Sequence, residues 1–204
     1  LGLSHNFSSS ASGRSSVMDY PHPLITGDND DLNFNIAYDT KIGAWDKWAI
    51  KYGYAYPSAN SSEKNFLKTT LERTLEDGYE FISDADARDP SGVHPRAHLW
   101  DNGVSASDEL LRLLKLRKQR MESFNVEAIK PGVPQSMLEE VFVPLYLMHR
   151  YQIEAAIKLI GGLDFKYKVR GDNQPKHSWV DDKTQKEALD AVLLAITPEH
   201  LQIP

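Results

Sequence analysis

Apolar residues recur at helical spacing in stretch after stretch of this chain, and that periodicity limits its possible folds more than any other feature. Phe66, Leu67, Thr70, Leu71, Thr74 and Leu75 draw one stripe over residues 61–76, with Ser61 or Ser62 placed to cap the helix and Gly78 to stop it. Leu110, Leu113, Leu114, Met121 and Phe124 draw another over 107–124, and Trp45, Trp48 and Ala49 mark a short amphipathic helix over 43–51. The longest periodic stretch covers 136–159. Pro144 lacks an amide hydrogen, which predicts a kink or a fresh start there, and Gly161-Gly162 closes the stretch. A last helix is expected over 181–196, and Thr197-Pro198-Glu199 reads as the first turn of another that the chain does not complete. Strand signals are thin: a short one at 79–82, and an exposed one at 164–170 where Phe165, Tyr167 and Val169 alternate with Lys166, Lys168 and Arg170. The segments 8–16, 27–31 and 83–103 read as loops. The expected class is mainly α with few short strands.

Charge and residue usage narrow the function. The 204 residues carry 23 basic and 29 acidic side chains, a net charge of -6, which argues against non-specific nucleic-acid binding. There is no cysteine, so a metal would be held by histidine, carboxylate or carbonyl groups. No apolar run approaches the roughly 18 to 20 residues that a membrane-spanning helix needs. Oligomeric state is not written in the sequence.

Two short motifs carry chemistry. Gly2-Leu3-Ser4-His5 matches the tail of the pattern H-E-x-x-H-x-x-G-x-x-H, in which the glycine breaks a helix and the chain turns to deliver a third histidine to a metal. Beyond a serine-rich connection stands Ser16-Val17-Met18-Asp19-Tyr20. The order and closeness of the two motifs make this chain resemble the metzincin zinc peptidases. Three further segments resemble the met-zincin domain of large bacterial envelope proteins: 84–90, 94–103 and 144–152, with the similarity running from Leu1 to about Asp172.

The resemblance implies His5 as third zinc ligand and Gly2 as the turn before it. It also implies Met18 as the Met-turn residue beneath the metal, and Tyr20 as a switchable ligand or a donor to the developing oxyanion. The residue after the third histidine is Asn6, unlike the better-known metzincin groups. The first two histidines and the general-base glutamate of the pattern are expected to precede Leu1. By this reading the chain is the C-terminal subdomain of a metzincin plus a helical extension. Residues 1–60 form the zinc-site part, and 61–204 form a continuous helical subdomain truncated at its end. The implied parent hydrolyses peptide bonds in a peptide or protein substrate with zinc-activated water, in the bacterial envelope, periplasmic or secreted. The fragment alone is expected to be inactive and to hold no zinc at His5.

Other residue groups carry weaker chemistry. His94 and His98 stand four apart, but Pro95 opposes a helix through them, and loop-anchoring hydrogen bonds are the plainer expectation. Asp84, Asp86 and Asp89 suggest a calcium loop but fail the EF-hand pattern. His149, Arg150 and Glu154 fit a polar network between helices, and Lys166, Lys168 and Arg170 a solvated face. Two rival functions stand beside the peptidase. One is a non-catalytic helical interaction module of a degenerate peptidase; the other is a glycan-binding appendage using Trp45, Trp100 and Trp179.

Overall fold

The computed structural model describes residues 2–27, 32–89 and 91–203. Helices dominate, as the periodicity predicts. In order they are α1 (Ala44–Tyr54), α2 (Glu63–Glu76), α3 (Asp84–Ala87), α4 (Ala106–Glu122), α5 (Leu138–Tyr146), α6 (Arg150–Ile157), α7 (Asp182–Ala195) and α8 (Pro198–Leu201). Two antiparallel pairs of two-residue strands join them: β1 (Thr26–Gly27) with β2 (Leu32–Asn33), and β3 (Leu163–Asp164) with β4 (Ser178–Trp179). No helix among the described residues is long and apolar enough to cross a membrane. The expected loop over 27–31 falls almost wholly outside the described residues.

Side-chain caps set the helix starts. Ser62 accepts from the Asn65 amide, Ser105 from Asp108, and Asp181 from Thr184, each satisfying an amide the first turn leaves unpaired. Four elements depart from expectation, the first being the strand expected at 79–82, which belongs to neither strand pair. The stretch 136–159 is two helices, and α5 runs through Pro144 to Tyr146 before the break at 147–149. Proline removes one bond to the preceding turn without ending the helix at once. The segment 83–103 contains the short helix α3. Of the expected strand over 164–170 only Asp164 is paired, at the end of β3, and Lys166 turns inward to Glu80 and Asp164. Lys166 is therefore not part of a solvated face.

The core has three parts. Leu110 and Leu114 of α4 meet Ala156 of α6 and Ala191 and Ala195 of α7, where small residues let the helices approach closely. Ile25, Leu113, Leu116 and Met148 form a second cluster beside α5. The third, of Phe7, Ile82, Ala87 and Ala97, lies directly beside the N-terminal motif and is the floor on which the candidate site stands.

Candidate metal centre

The two N-terminal motifs meet through the backbone. The Asn6 amide donates to the Met18 carbonyl at 3.1 Å, and the Phe7 amide donates to the Ile82 carbonyl at 3.0 Å. The strip 5–7 is thereby held between the turn that carries Met18 and the extended segment 80–82. Asn6 is fully buried and braces both sides. Its amide nitrogen donates to the Glu80 carbonyl at 2.7 Å, while its side-chain oxygen accepts from the Ser8 hydroxyl and the Ile82 amide. A side chain with both a donor and an acceptor is needed for this, which gives the unusual residue after His5 a structural reason. Gly2 has φ +71°, in the left-handed region, with nothing within 4 Å of where a Cβ would stand. The constraint there is conformational, as the turn before the histidine requires.

His5 is half-buried. Its Nδ1 lies 2.9 and 3.0 Å from the two carboxylate oxygens of Asp84, the first residue of α3, and Asp84 also accepts from Arg88 Nε at 2.6 Å. The carboxylate favours the tautomer with the proton on Nδ1, leaving the Nε2 lone pair for a ligand. Metal-bound histidines are commonly oriented in this way. The imidazole packs on Tyr20, with ring centroids 4.9 Å apart, and on Phe7 at 5.5 Å. Tyr20 is partly exposed beside it.

The turn is clamped from α1. Asp46, in the first turn of that helix, is buried and accepts from the Ser16 hydroxyl at 2.5 Å, the Val17 amide at 2.9 Å and the Gly43 amide at 2.7 Å. The Ser16 hydroxyl oxygen accepts in turn from the Met18 amide. Gly43 passes so close that a Cβ would stand 1.8 Å from the Ser15 carbonyl oxygen. The structure thus brings His5, Tyr20 and the Met18 backbone together, with Gly2 three residues before His5 in the same segment. Met18 is half-buried on the turn, and its contact with the strip is the backbone bond to Asn6.

Below the turn lie two buried carboxylates. Ser10 joins them, its amide donating to Asp19 and its hydroxyl to Asp101 Oδ2 at 3.1 Å. Burial pushes Asp19 up to about 6, opposed by the amides of Tyr20 and Ser10 and by His5. Burial and the Asp19 charge raise Asp101 well above the usual carboxylate range.

A second gathering of ligand types lies elsewhere. Among the described residues, one group of three offers ligand atoms within 4.8 Å of one another: Glu80, His94 and Asp164. Its chemistry fits an ion-pair network better than a metal. Burial by itself pushes the pKa values of Glu80 and Asp164 up, but Lys166 and Arg96 outweigh it and hold both below the usual carboxylate range. His94 accepts the Arg96 amide on Nδ1 at 3.3 Å, so its proton is on Nε2, which donates to the Phe165 carbonyl at 3.2 Å. No imidazole lone pair is left for an ion. His98 lies apart, 3.4 Å from Glu154.

The remaining candidates separate. Asp84 serves His5, Asp86 accepts from the Tyr167 hydroxyl, and Asp89 caps the turn at Ser91, so the three carboxylates do not converge. Pro90, in the same segment, falls outside the described residues. His149 is buried, while Arg150 is exposed and stacks on Tyr151 at 4.3 Å. Trp45 is buried against Phe81, which removes it from any exposed glycan platform. Sequence reasoning weighed Asp84 only as part of a calcium loop and did not single out Asp46 or Asp101. The first-turn position of Asp46, three residues after Gly43, was the one local signal.

A profile of the Met-zincin family, a metzincin-type domain, matches residues 1–203. No curated protein and no solved structure matches the chain.

Proposed function

The chain belongs to the Met-zincin family, and on that premise we propose that it contributes one wall of a zinc endopeptidase centre, with His5 as a metal ligand. The observation that carries this reading is the pairing of His5 Nδ1 with Asp84 at 2.9 Å while its ring rests on Tyr20. The donor set fits zinc: an imidazole whose Nδ1 is held by a carboxylate behind it, with Nε2 on the far side of the ring. When bound, zinc supplies Lewis acidity, polarising the scissile carbonyl and letting water act as a nucleophile near neutral pH.

The protein residues do the rest. Asp84 holds the His5 proton on Nδ1 and fixes the plane of the ring. Tyr20, partly exposed next to that ring, donates its hydroxyl hydrogen to the oxygen that gains charge as the carbonyl is attacked. Met18 packs near the ligand strip without competing for the metal. Catalytic zinc takes three protein ligands, and no group of three such residues among those described includes His5. By this reading His5 is one member of such a ligand set.

The test compares zinc content and peptide cleavage of the full-length protein with its His5→Ala variant. The expected outcome is loss of stoichiometric zinc and a fall in kcat/KM of at least about a thousandfold. Zinc and activity both unaltered in the variant would remove His5 from the centre.

A further inference from the structure

A side chain in the left-handed backbone region is uncommon and marks a place where the surroundings hold the chain against its preference. Among the described residues, the non-glycine cases are Arg14 (φ 59°), Lys41 (φ 74°), Trp100 (φ 65°) and Asn173 (φ 57°). The first three come from three distant parts of the chain and line one cavity of ≈ 500 Å³. Its apolar walls are Val17, Tyr38 and Ile42, each half exposed or more, together with the rings of Tyr20 and Trp100.

The cavity adjoins the candidate centre through one shared residue, Tyr20. Tyr20 is a wall of both, with its ring 4.9 Å from His5 on one side and 5.8 Å from Trp100 on the other. The strained Trp100 is fastened to it, since its amide donates to the Tyr20 carbonyl at 2.9 Å. Beyond Trp100 the rings continue to Tyr151 at 5.8 Å. Charge on the cavity is unequal. Arg14 is consumed by the carbonyls of Ile36 and Ala37 and by Asp39, 3.4 Å from its Nε. Asp19 is buried and turned to the Tyr20 amide. Lys41 is exposed, with no ion pair among the described residues.

We propose that this cavity receives one large apolar side chain, aromatic or long aliphatic, of the polypeptide bound at the His5–Tyr20 centre, and that Lys41 at its rim disfavours lysine and arginine. The inference rests on the peptidase reading and adds the substrate class to it. Burying such a side chain against five apolar walls is favourable in itself. A cation that lacks a carboxylate partner repels a second cation brought beside it.

The experiment measures binding and cleavage separately. Fluorescein-labelled peptides that differ at one central position, Phe, Lys or Glu, are titrated by anisotropy into the full-length protein. Wild type, Tyr38→Ala, Lys41→Glu and Lys41→Asn are compared; asparagine tolerates the left-handed backbone and guards against misfolding. Wild type is expected to bind the Phe peptide at least about tenfold more tightly than the Lys peptide. Tyr38→Ala should weaken the Phe peptide selectively. Lys41→Glu should reverse the order of the Lys and Glu peptides, and Lys41→Asn should level them. Equal binding of all three peptides to wild type, or an order unmoved by both Lys41 variants, overturns the proposal even if the peptides are cut. Selective binding with no cleavage after zinc loading supports the cavity and sinks the peptidase reading instead.

Discussion

Asp84 lies 79 positions along the chain from His5, yet its carboxylate decides which imidazole nitrogen stays free. If that pairing orients the metal ligand, the two ways of weakening it should differ. Asp84→Asn keeps an acceptor but loses the charge, whereas Asp84→Ala loses both. In the full-length protein, zinc affinity measured against a chromophoric chelator should fall about tenfold in the first and up to about a hundredfold in the second. Equal affinity in both variants and wild type would show that the ring is held without Asp84. His5, Met18 and Tyr20 stood out in the sequence because the glycine-to-histidine spacing and the methionine turn are local patterns. Asp84 did not, because the spacing of acids along a loop says nothing about where each carboxylate points. The same limit hid the left-handed backbone of Trp100, which the sequence offered only as an exposed aromatic.

At the scale of elements, helix existence was readable and helix purpose was not. The apolar stripes and Ser, Asp and Gly boundary residues placed α1, α2, α4 and α7 within a few positions. What no stripe revealed is that α1 exists partly to clamp the methionine turn. Asp46 accepts from three donors there, and removing it leaves buried groups unpaired. Asp46→Ala should cost about 2–4 kcal/mol in urea unfolding, with amide exchange at Val17 accelerating beyond that of the α4 core. Gly43→Ala should be worse, because the added carbon meets backbone that has no rotamer to yield. A mild effect in both, below about 0.5 kcal/mol, would mean the turn holds itself. Pro144 shows the converse. Its chemistry was read correctly but its effect misplaced, since the break came after Tyr146 where the chain turns toward α6.

Across the whole molecule, buried titratable groups pull stability in opposite directions as pH changes. His94, His98 and His149 are each lowered from 6.5 to about 4, first by burial and then by the cations Arg96, Lys158 and Arg117 respectively. A histidine whose folded pKa lies below its unfolded value contributes stability above about pH 6.5. That contribution is lost as pH falls toward 4, so acid should loosen the anchors of the 94–98 segment and of the α5–α6 junction. Asp19 and Asp101 work the other way. Their folded pKa values lie above the ordinary 3.8, so their contribution is full below that value and drains away as pH rises through their raised values, about 6 for Asp19. At neutral pH this pair is a stored cost beneath the candidate centre, with Asp19 Oδ2 and Asp101 Oδ1 both lacking a hydrogen-bond partner. Asp101→Asn removes one charge and keeps an acceptor for Ser10 while adding a donor that can reach its neighbour. Its melting temperature at pH 8 should exceed that of wild type by about 2–4 °C, the equivalent of roughly 1 kcal/mol in a chain of this size. The gain should shrink as pH approaches 4, where both carboxyl groups of wild type carry protons. A variant that melts lower than wild type at pH 8 would mean the Asp101 charge is in use, with Lys158 as a cation acting on it.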